Sequence, residues 1–226
     1  MKMMKRFAVY YAPCPGSFAD KAAAWLGWDT RQGRAIAHPE LGIPLAQITT
    51  DPRKYGFHGT IRAPFRPATG VNPDHITDRV RTLAAGLAPV RLEGLALGVF
   101  HGFLALTPKG DTSALLTLAE AVVRGTNDLR APLTDAEIAR RRPETLTPRQ
   151  QELLRLWGYP GVMEAFQFHL TLTNQLPDSL AASVVHAAEG FFAADIPDPF
   201  VIEDLCLFGE DAEGRFHLLY RYPLSA

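Results

Sequence analysis

Two short stretches of this chain carry the same pattern, a histidine followed two residues later by a threonine. They read Phe-His-Gly-Thr-Ile at 57–61 and Phe-His-Leu-Thr-Leu at 168–172. Imidazole titrates near neutral pH, so a histidine pair can act as general base and general acid. A preorganised hydroxyl donor at a phosphate oxygen is typically worth about 2.7–4 kcal/mol in the transition state. The pattern therefore predicts phosphodiester cleavage by two histidines and two phosphate-binding threonines, namely His58, His169, Thr60 and Thr171.

Both motifs fall in predicted strands, at 55–65 and 165–176. Side chains alternate between the faces of a strand, so the polar residues of each motif share one face. That face must line a cleft or meet solvent, because a buried row of Gln, His and Thr would need many polar partners. Weaker candidates for substrate contact are Arg62, Thr173, Gln167 and Tyr10. Each has a structural alternative, at the strand end, at the cleft rim or in the core.

The motif strands occupy matching places in two halves of the chain, which predicts an internal repeat at about 6–99 and 103–208. The first half reads as strand, helix, strand, helix, strand at 6–13, 17–28, 55–65, 73–87 and 92–99. The second half reads the same way at 103–107, 111–124, 165–176, 178–194 and 200–208. A last strand at 216–222 is extra, and Ser17 and Asn72 are predicted helix N-caps. The expected fold is α/β (α+β), one domain over 1–226 with an insertion at about 126–162.

Composition narrows the classes of function. The chain has 226 residues, a net charge of −1 and 47% hydrophobic residues, so it can bury a sizeable core but has no overall basic excess for coating nucleic acid. Two cysteines without metal-ligand spacing predict free thiols, with one disulfide as the alternative, and no metal or cofactor is expected. The apolar run at 7–12 is too short for a signal peptide and no stretch is long enough for a membrane span, which predicts a soluble cytoplasmic protein. The arginines at 140–142 are interpreted as a solvated run. The other histidines are interpreted as structural or surface residues: His38, His75, His101, His186 and His217.

Longer stretches carry a family resemblance. The segments 51–65, 157–160, 168–173 and 215–219 resemble the 2H phosphoesterase superfamily, and more narrowly its DUF1045 branch, which is linked to phosphonate metabolism. The resemblance implies a two-lobed fold in which mainly antiparallel sheets line a central cleft, with helices outside. It also implies catalysis by His58 and His169, phosphate binding by Thr60 and Thr171, and no metal. A small cyclic phosphate or nucleotide is the implied substrate.

Three alternatives to a small-molecule phosphodiesterase stay open at this stage. RNA is a second substrate class, processed or ligated at its ends, and it predicts a basic, aromatic-lined extension of the cleft. A non-catalytic module that only binds a phosphate ligand is the third hypothesis, and it predicts binding without turnover. Metal catalysis is a weaker fourth, since no carboxylate stands beside the motif histidines. The sequence does not decide which histidine is the acid, nor the oligomeric state.

Overall fold

A computed structural model describes residues 4–226, and in that range seven strands form one antiparallel sheet. The strands are β1 (Arg6–Tyr11), β2 (Trp28–Asp29), β3 (Arg34–Ala35), β4 (Gly59–Phe65), β5 (Val90–Leu92), β6 (Gly94–Phe100), β7 (Phe103–Lys109), β8 (Leu170–Gln175), β9 (Phe200–Ile202), β10 (Asp204–Glu210) and β11 (Phe216–Pro223). The helices are α1 (Ser17–Leu26), α2 (Leu45–Ile48), α3 (Pro52–Tyr55), α4 (Pro73–Ala85), α5 (Ser113–Gly125), α6 (Asp135–Ala139), α7 (Pro148–Trp157) and α8 (Asp178–Phe192). The predicted class, mixed α and β with a mainly antiparallel sheet, is confirmed.

The strand order is symmetric about the centre of the sheet. It runs β11-β10-β1-β4-β8-β7-β6, so β4 and β8 meet in the middle, β1 and β7 flank them, and β10 and β6 follow. The third strand of each predicted half pairs with the first strand of the other half, β6 with β7 and β10 with β1. At the centre a single register pair, Gly59 with Leu170, joins the two halves. The repeat boundaries at 6–99 and 103–208 stay a prediction.

The two faces of the sheet differ in what covers them. Apolar side chains of α1, α4, α5 and α8 pack with Phe7, Val9, Leu106 and other strand residues into the main core. On the opposite face, β1 contributes Ala8 and Tyr10 to a separate small cluster with residues of β10 and β11. Alternation along β1 therefore sends one side chain into the helix-covered core and the next to the open face, as a half-covered antiparallel sheet requires.

The helices predicted from the sequence are present, but one of the two predicted N-caps is wrong. Asn72 accepts a hydrogen bond from the His75 amide at the start of α4, as predicted. The N-cap of α1 is Gly16 and not Ser17, and no side chain caps that helix. Ser17 already has helical geometry, so its hydroxyl is not in the capping position.

A helical turn precedes each motif strand, so both strands begin later in the sequence than predicted. The chain before β4 forms α3, which ends at Gly56 with φ of 71°. A 3₁₀ turn, Met163–Ala165, precedes β8. His58 and His169 consequently lie just before their strands rather than inside them, while both threonines lie inside.

The insertion at 126–162 has structure of its own. It contains α6 and α7 and two 3₁₀ turns, Asn127–Leu129 and Pro143–Thr145. Leu153 of α7 packs with Val123, Val162 and Met163 in a third apolar cluster, which fixes the insertion against α5. Within residues 4–226, no helix has the length and apolar character needed to cross a membrane.

Candidate active site

The two motif histidines are held in the same way. The Nδ1 atom of His58 lies 2.9 Å from the Gly56 carbonyl oxygen, and Nδ1 of His169 lies 2.8 Å from the Gln167 carbonyl oxygen. A carbonyl can only accept, so Nδ1 carries the proton in each ring and donates it to the residue two positions earlier. In the neutral form Nε2 is then the free base, and in the cationic form it is the acid. Both imidazoles therefore present the nitrogen that can exchange a proton with a substrate.

Aromatic side chains fix the planes of both rings. His58 stacks on Tyr10 with ring centroids 3.8 Å apart and an interplanar angle of 24°. His169 lies between Phe100 and Phe103, at 5.1 Å and 5.5 Å between centroids. Tyr10 was a weaker candidate for substrate contact, with core packing as the alternative. It is buried, and it contributes to the site by packing against the His58 ring. These contacts restrict rotation of the imidazoles, which is what positioned acid–base groups require.

Burial keeps both histidines neutral in the free protein. It lowers the pKa of His58 to about 4, although the bond to the Gly56 carbonyl opposes this and the charge of His169 adds to it. Burial also lowers the pKa of His169, with the charge of His101 adding to the effect. His58 and His169 flank the paired residues Gly59 and Leu170 on neighbouring strands, and His101 lines the same cleft as His169. A cation at this site needs a compensating anion, such as a phosphate.

The threonines differ in their positions relative to the cleft. Thr60 and His169 both line a cleft of about 340 Å³ on the open side of the sheet. The Thr60 hydroxyl is 3.3 Å from Nε2 of His58, so His58 meets the cleft through Thr60. Thr171 is half-buried in β8 opposite Ala105 and does not form part of this wall. Its predicted role in phosphate binding stays a prediction.

Two of the weaker candidates point away from the cleft because each motif strand contains a register shift. The pairing of β4 with β1 slips between Thr60 and Arg62, and the pairing of β8 with β7 slips after Thr171. Arg62 is 1% exposed and donates to the Trp157 carbonyl at 2.7 Å. Thr173 is equally buried and accepts from the Leu104 amide at 2.9 Å. The expectation of shared faces fails here because a bulge resets alternation.

Gln167 does line the cleft, together with a histidine that the sequence reasoning missed. The Oε1 atom of Gln167 is 3.0 Å from Nε2 of His101, and both residues belong to the wall. His101 is at the tip of the β6–β7 hairpin with φ of 47°, beside Gly102 with φ of 86°. The sequence analysis interpreted His101 as structural or surface, because its position beside His169 follows only from strand pairing.

The insertion supplies one side of the cleft. Tyr159, Pro160 and Val162 line it, and so does Gln150 of α7. Arg62 of β4 anchors this segment through the Trp157 carbonyl. Burial lowers the pKa of Arg62 to about 9, and its Nε has no hydrogen-bond partner in the described part of the chain. Arg62 thus fixes the wall of the cleft instead of reaching into it.

Other features of the structure lie apart from the histidines. A larger cavity of about 490 Å³ lies in the insertion and is lined by residues such as Pro132, Ile138 and Leu154, without a histidine. Within residues 4–226, His, Cys, Asp and Glu side chains do not form a group of three or more suited to a metal ion. Cys14 is an exposed free thiol and Cys206 is a buried one.

Comparisons with known proteins identify the family. The model of a family described as "protein of unknown function (DUF1045)" matches residues 60–217, which is more than half of the chain. Two curated relatives are named ribose 1,5-bisphosphate phosphokinase PhnN, one from Janthinobacterium sp. (strain Marseille) and one from Laribacter hongkongensis (strain HLHK9). Each is 36% identical, over 98% and 96% of this chain respectively. The chain spans about half the length of these curated relatives, 51% in each case.

Solved structures with some likeness include E. coli LigT complexed with 3′-AMP, at 13% identity and a TM-score of 0.46 over 99% of this chain and 100% of that one. A protein of Thermus thermophilus has 16% identity and a TM-score of 0.47 over 97% of both chains. The DUF1045 resemblance predicted from the motifs is confirmed by the family match and not by these structures.

Proposed function

The chain belongs to the DUF1045 family of proteins of unknown function, and we propose that it is a metal-independent phosphodiesterase of the 2H type that hydrolyses a small cyclic phosphodiester. The proposal rests on one observation: both histidines form the same hydrogen bond to the backbone. In both, a backbone carbonyl two residues earlier accepts a hydrogen bond from Nδ1–H and leaves Nε2 for the reaction. A general base and a general acid are what in-line cleavage of a phosphodiester needs.

The hydrolysis step uses the histidines in turn. One neutral Nε2 removes a proton from water as the water oxygen bonds to phosphorus. The bond from phosphorus to one ester oxygen breaks, and the second histidine, protonated, gives that oxygen its proton. Burial lowers the pKa of both histidines, so both Nε2 atoms are unprotonated before the substrate binds. The negative charge of the bound substrate raises the pKa of the histidine beside the leaving oxygen, which is then the acid, and the other histidine is the base.

The phosphate sits where hydroxyl donors are available. Thr60 lines the cleft with its hydroxyl 3.3 Å from Nε2 of His58, so the hydroxyl can turn from His58 to a non-bridging oxygen. Thr171, in the corresponding position of the second motif, is proposed for the other oxygen. Gln167 lies at the rim and can contact the rest of the substrate.

The size of the cleft and the relatives favour a small substrate. About 340 Å³ is within the usual range for small-molecule sites. The curated relatives are named for a reaction of ribose 1,5-bisphosphate, although this chain spans only half of them. Opening a cyclic phosphate on a ribose gives a ribose phosphate, so a ribose or nucleoside cyclic phosphate is the proposed substrate class. A place in phosphonate breakdown is part of the same proposal.

Turnover of cyclic phosphates by histidine variants tests this function. The purified protein is assayed with 2′,3′-cyclic nucleotides and ribose cyclic phosphates in the presence of a chelator. We expect His58→Ala and His169→Ala each to lower kcat by about 10²–10⁴-fold, because each removes one proton-transfer group. His186→Ala, which changes an exposed histidine of α8, is the matched control and keeps full activity. Full hydrolysis by either motif variant would overturn the proposal, and chelator-sensitive turnover would overturn its metal-free part.

A further inference from the structure

The cavity of about 490 Å³ in the insertion is separate from the histidine cleft. It is formed by α6, α7 and the loop that precedes α6, and none of its wall residues lines the cleft that contains His169. Its volume is within the usual range for small-molecule sites. The wall consists of Arg130, Pro132, Leu133, Ile138, Pro143, Gln151, Leu154 and Arg155. A ligand of this cavity is therefore not the molecule that reacts at the histidines.

Most of the wall is apolar, and part of it is open to solvent. Leu154 forms the buried part and is 4% exposed, whereas Ile138 is 36% exposed. Leu133 and two prolines complete the apolar surface. Covering the exposed part of Ile138 removes apolar surface from water, which is favourable. The cavity therefore suits a ligand with an apolar body.

Bonds within the chain hold the walls of the cavity in place. On one side, Glu137 of α6 accepts from both ends of the Arg66 guanidinium, at 2.9 Å each. On the other side, Nε2 of Gln151 in α7 donates to the carbonyl oxygens of Pro143 and Leu146, at 3.0 Å and 3.2 Å. Small-molecule sites are usually preformed in this way.

The charges of the wall are positive and unbalanced. Arg130 and Arg155 supply two guanidinium groups, which can only donate hydrogen bonds. Within residues 4–226, neither of them forms a salt bridge, and the wall contains no carboxylate. Glu137 of α6 is already paired with Arg66. Both guanidinium groups are therefore available to an anion from outside the chain.

The side chain of Arg130 is fixed by its own neighbours. Its Nη1 and Nη2 atoms donate to the carbonyl oxygens of Ala131 and Leu156, at 3.0 Å and 3.3 Å. Its Nε donates to the side-chain oxygen of Asn127 at 3.3 Å, and its Cδ packs closely against Gly158. A guanidinium group has more N–H donors than these bonds use, so part of it is left for a ligand. A cation that is already positioned loses little side-chain freedom when an anion binds.

We propose that this cavity binds a small amphipathic anion, with a flat apolar ring system and one carboxylate, sulfonate or phosphate group. The ring system packs on Leu154, Ile138 and the two prolines, and the anionic group binds Arg130 and Arg155. Guanidinium groups suit such a ligand twice over, because they pair with anions and stack on aromatic faces. The site does not depend on the phosphodiesterase activity proposed for the histidines.

Fluorescence titration with two related probes tests the site. The probe 8-anilinonaphthalene-1-sulfonate is an aromatic anion, and N-phenyl-1-naphthylamine has the same ring system without the charge. We expect the unaltered protein to bind the sulfonate and Ile138→Asp to weaken that binding at least about tenfold, because a negative charge then lies in the wall. Leu156→Asp is the matched control. Leu156 is 38% exposed in the same insertion but outside the wall, so its variant binds the sulfonate normally.

Arginine variants separate recognition of the charge from apolar contact. We expect Arg130→Gln and Arg155→Gln each to weaken binding of the sulfonate by about threefold to tenfold and to leave the uncharged probe unaffected. Arg155 is exposed on α7, so its variant tests the proposal even if Arg130→Gln destabilises the insertion. Arg142→Gln, which removes an exposed arginine of the same segment from outside the wall, changes neither affinity.

Several results overturn the proposal. Equal losses of affinity for both probes in the arginine variants show that the anionic group is not recognised. Unchanged sulfonate binding in Ile138→Asp, or the same loss in Leu156→Asp, places the probe elsewhere. Loss of binding in His169→Gln places it in the histidine cleft. Binding that weakens as protein concentration rises, with a matching increase in sedimenting mass, assigns the cavity to a second copy of the chain.

Discussion

Each motif histidine owes its reactive state to its own local backbone. The carbonyls of Gly56 and Gln167 accept hydrogen bonds from the Nδ1–H groups, and aromatic rings hold the imidazole planes. Gly56 has φ of 71°, in the region that favours glycine, and its carbonyl orientation depends on that turn. The arrangement has a cost in stability under acid, since an imidazole that is buried neutral resists protonation.

Acid should destabilise the protein through His58. Burial lowers the folded-state pKa to about 4, whereas the unfolded chain titrates near 6.5. Between these values the unfolded chain binds the proton and the folded chain does not, so stability present above pH 6.5 is lost as pH falls toward 4. We expect the free energy of unfolding of the unaltered protein to fall between pH 7.5 and pH 4. That fall should exceed the fall measured for His58→Gln by about 3 kcal/mol. Urea unfolding at both pH values measures this.

The control for the acid experiment is His186→Gln, on the exposed side of α8. It should follow the unaltered protein. If His58→Gln loses as much stability on acidification as the unaltered protein, His58 is not held neutral by the fold.

At the scale of elements, the motif strands show what a sequence can and cannot predict. The alternation rule placed His58 with Thr60, and Thr60 reaches the cleft beside it. The same rule placed Arg62 and Thr173 there, and both are buried elsewhere. Each is the fourth residue after its histidine, at the register shift of its strand. These bulges depend on pairing between strands that are far apart in the chain, so no local sequence pattern predicts them.

The pairing of β4 with β8, at the centre of the sheet, depends on the absence of a side chain at Gly59. A Cβ at this position would meet the ring of Phe168 at 2.2 Å. Phe168 is buried in the main core, so the ring cannot move away freely. We expect Gly59→Ala to destabilise the protein by about 1–3 kcal/mol through overpacking, measured by urea unfolding at neutral pH. Because Gly59 lies between His58 and Thr60, turnover should fall as well.

Gly98→Ala is the matched control for Gly59→Ala. Gly98 also lies in a strand of the sheet, β6, and a Cβ there meets nothing within 4 Å. It should change the unfolding free energy by less than about 0.5 kcal/mol. Equal losses in both variants would mean that the general cost of altering a strand glycine, and not the Phe168 contact, sets the effect.

At the scale of the whole molecule, each predicted half pairs one of its strands with a strand of the other predicted half. Sequence order correctly indicated a strand near 92–99 and another near 200–208, but not that each would pair with the opposite half. β7 follows β6 directly through a hairpin turn, so that pairing is local, whereas β1 and β10 are far apart in sequence. The packing of the whole sheet brings β1 and β10 together, and a motif comparison does not contain that information. The consequence is that β6 and β10 complete the sheet of the other half, so neither half has its full set of strands alone.

This exchange predicts that the chain unfolds as one unit. Removing either half exposes the edges of β1 and β7 and part of the shared core, so the halves should lose structure together. In Trp157→Phe, fluorescence reports only Trp25 and Trp28 of the first half, while far-UV circular dichroism reports helices of both halves. We expect the two urea transitions to have the same midpoint, with unaltered protein as the control for the substitution. A fluorescence midpoint displaced from the dichroism midpoint would show that the halves unfold separately, and that the strand pairs between them do not couple them.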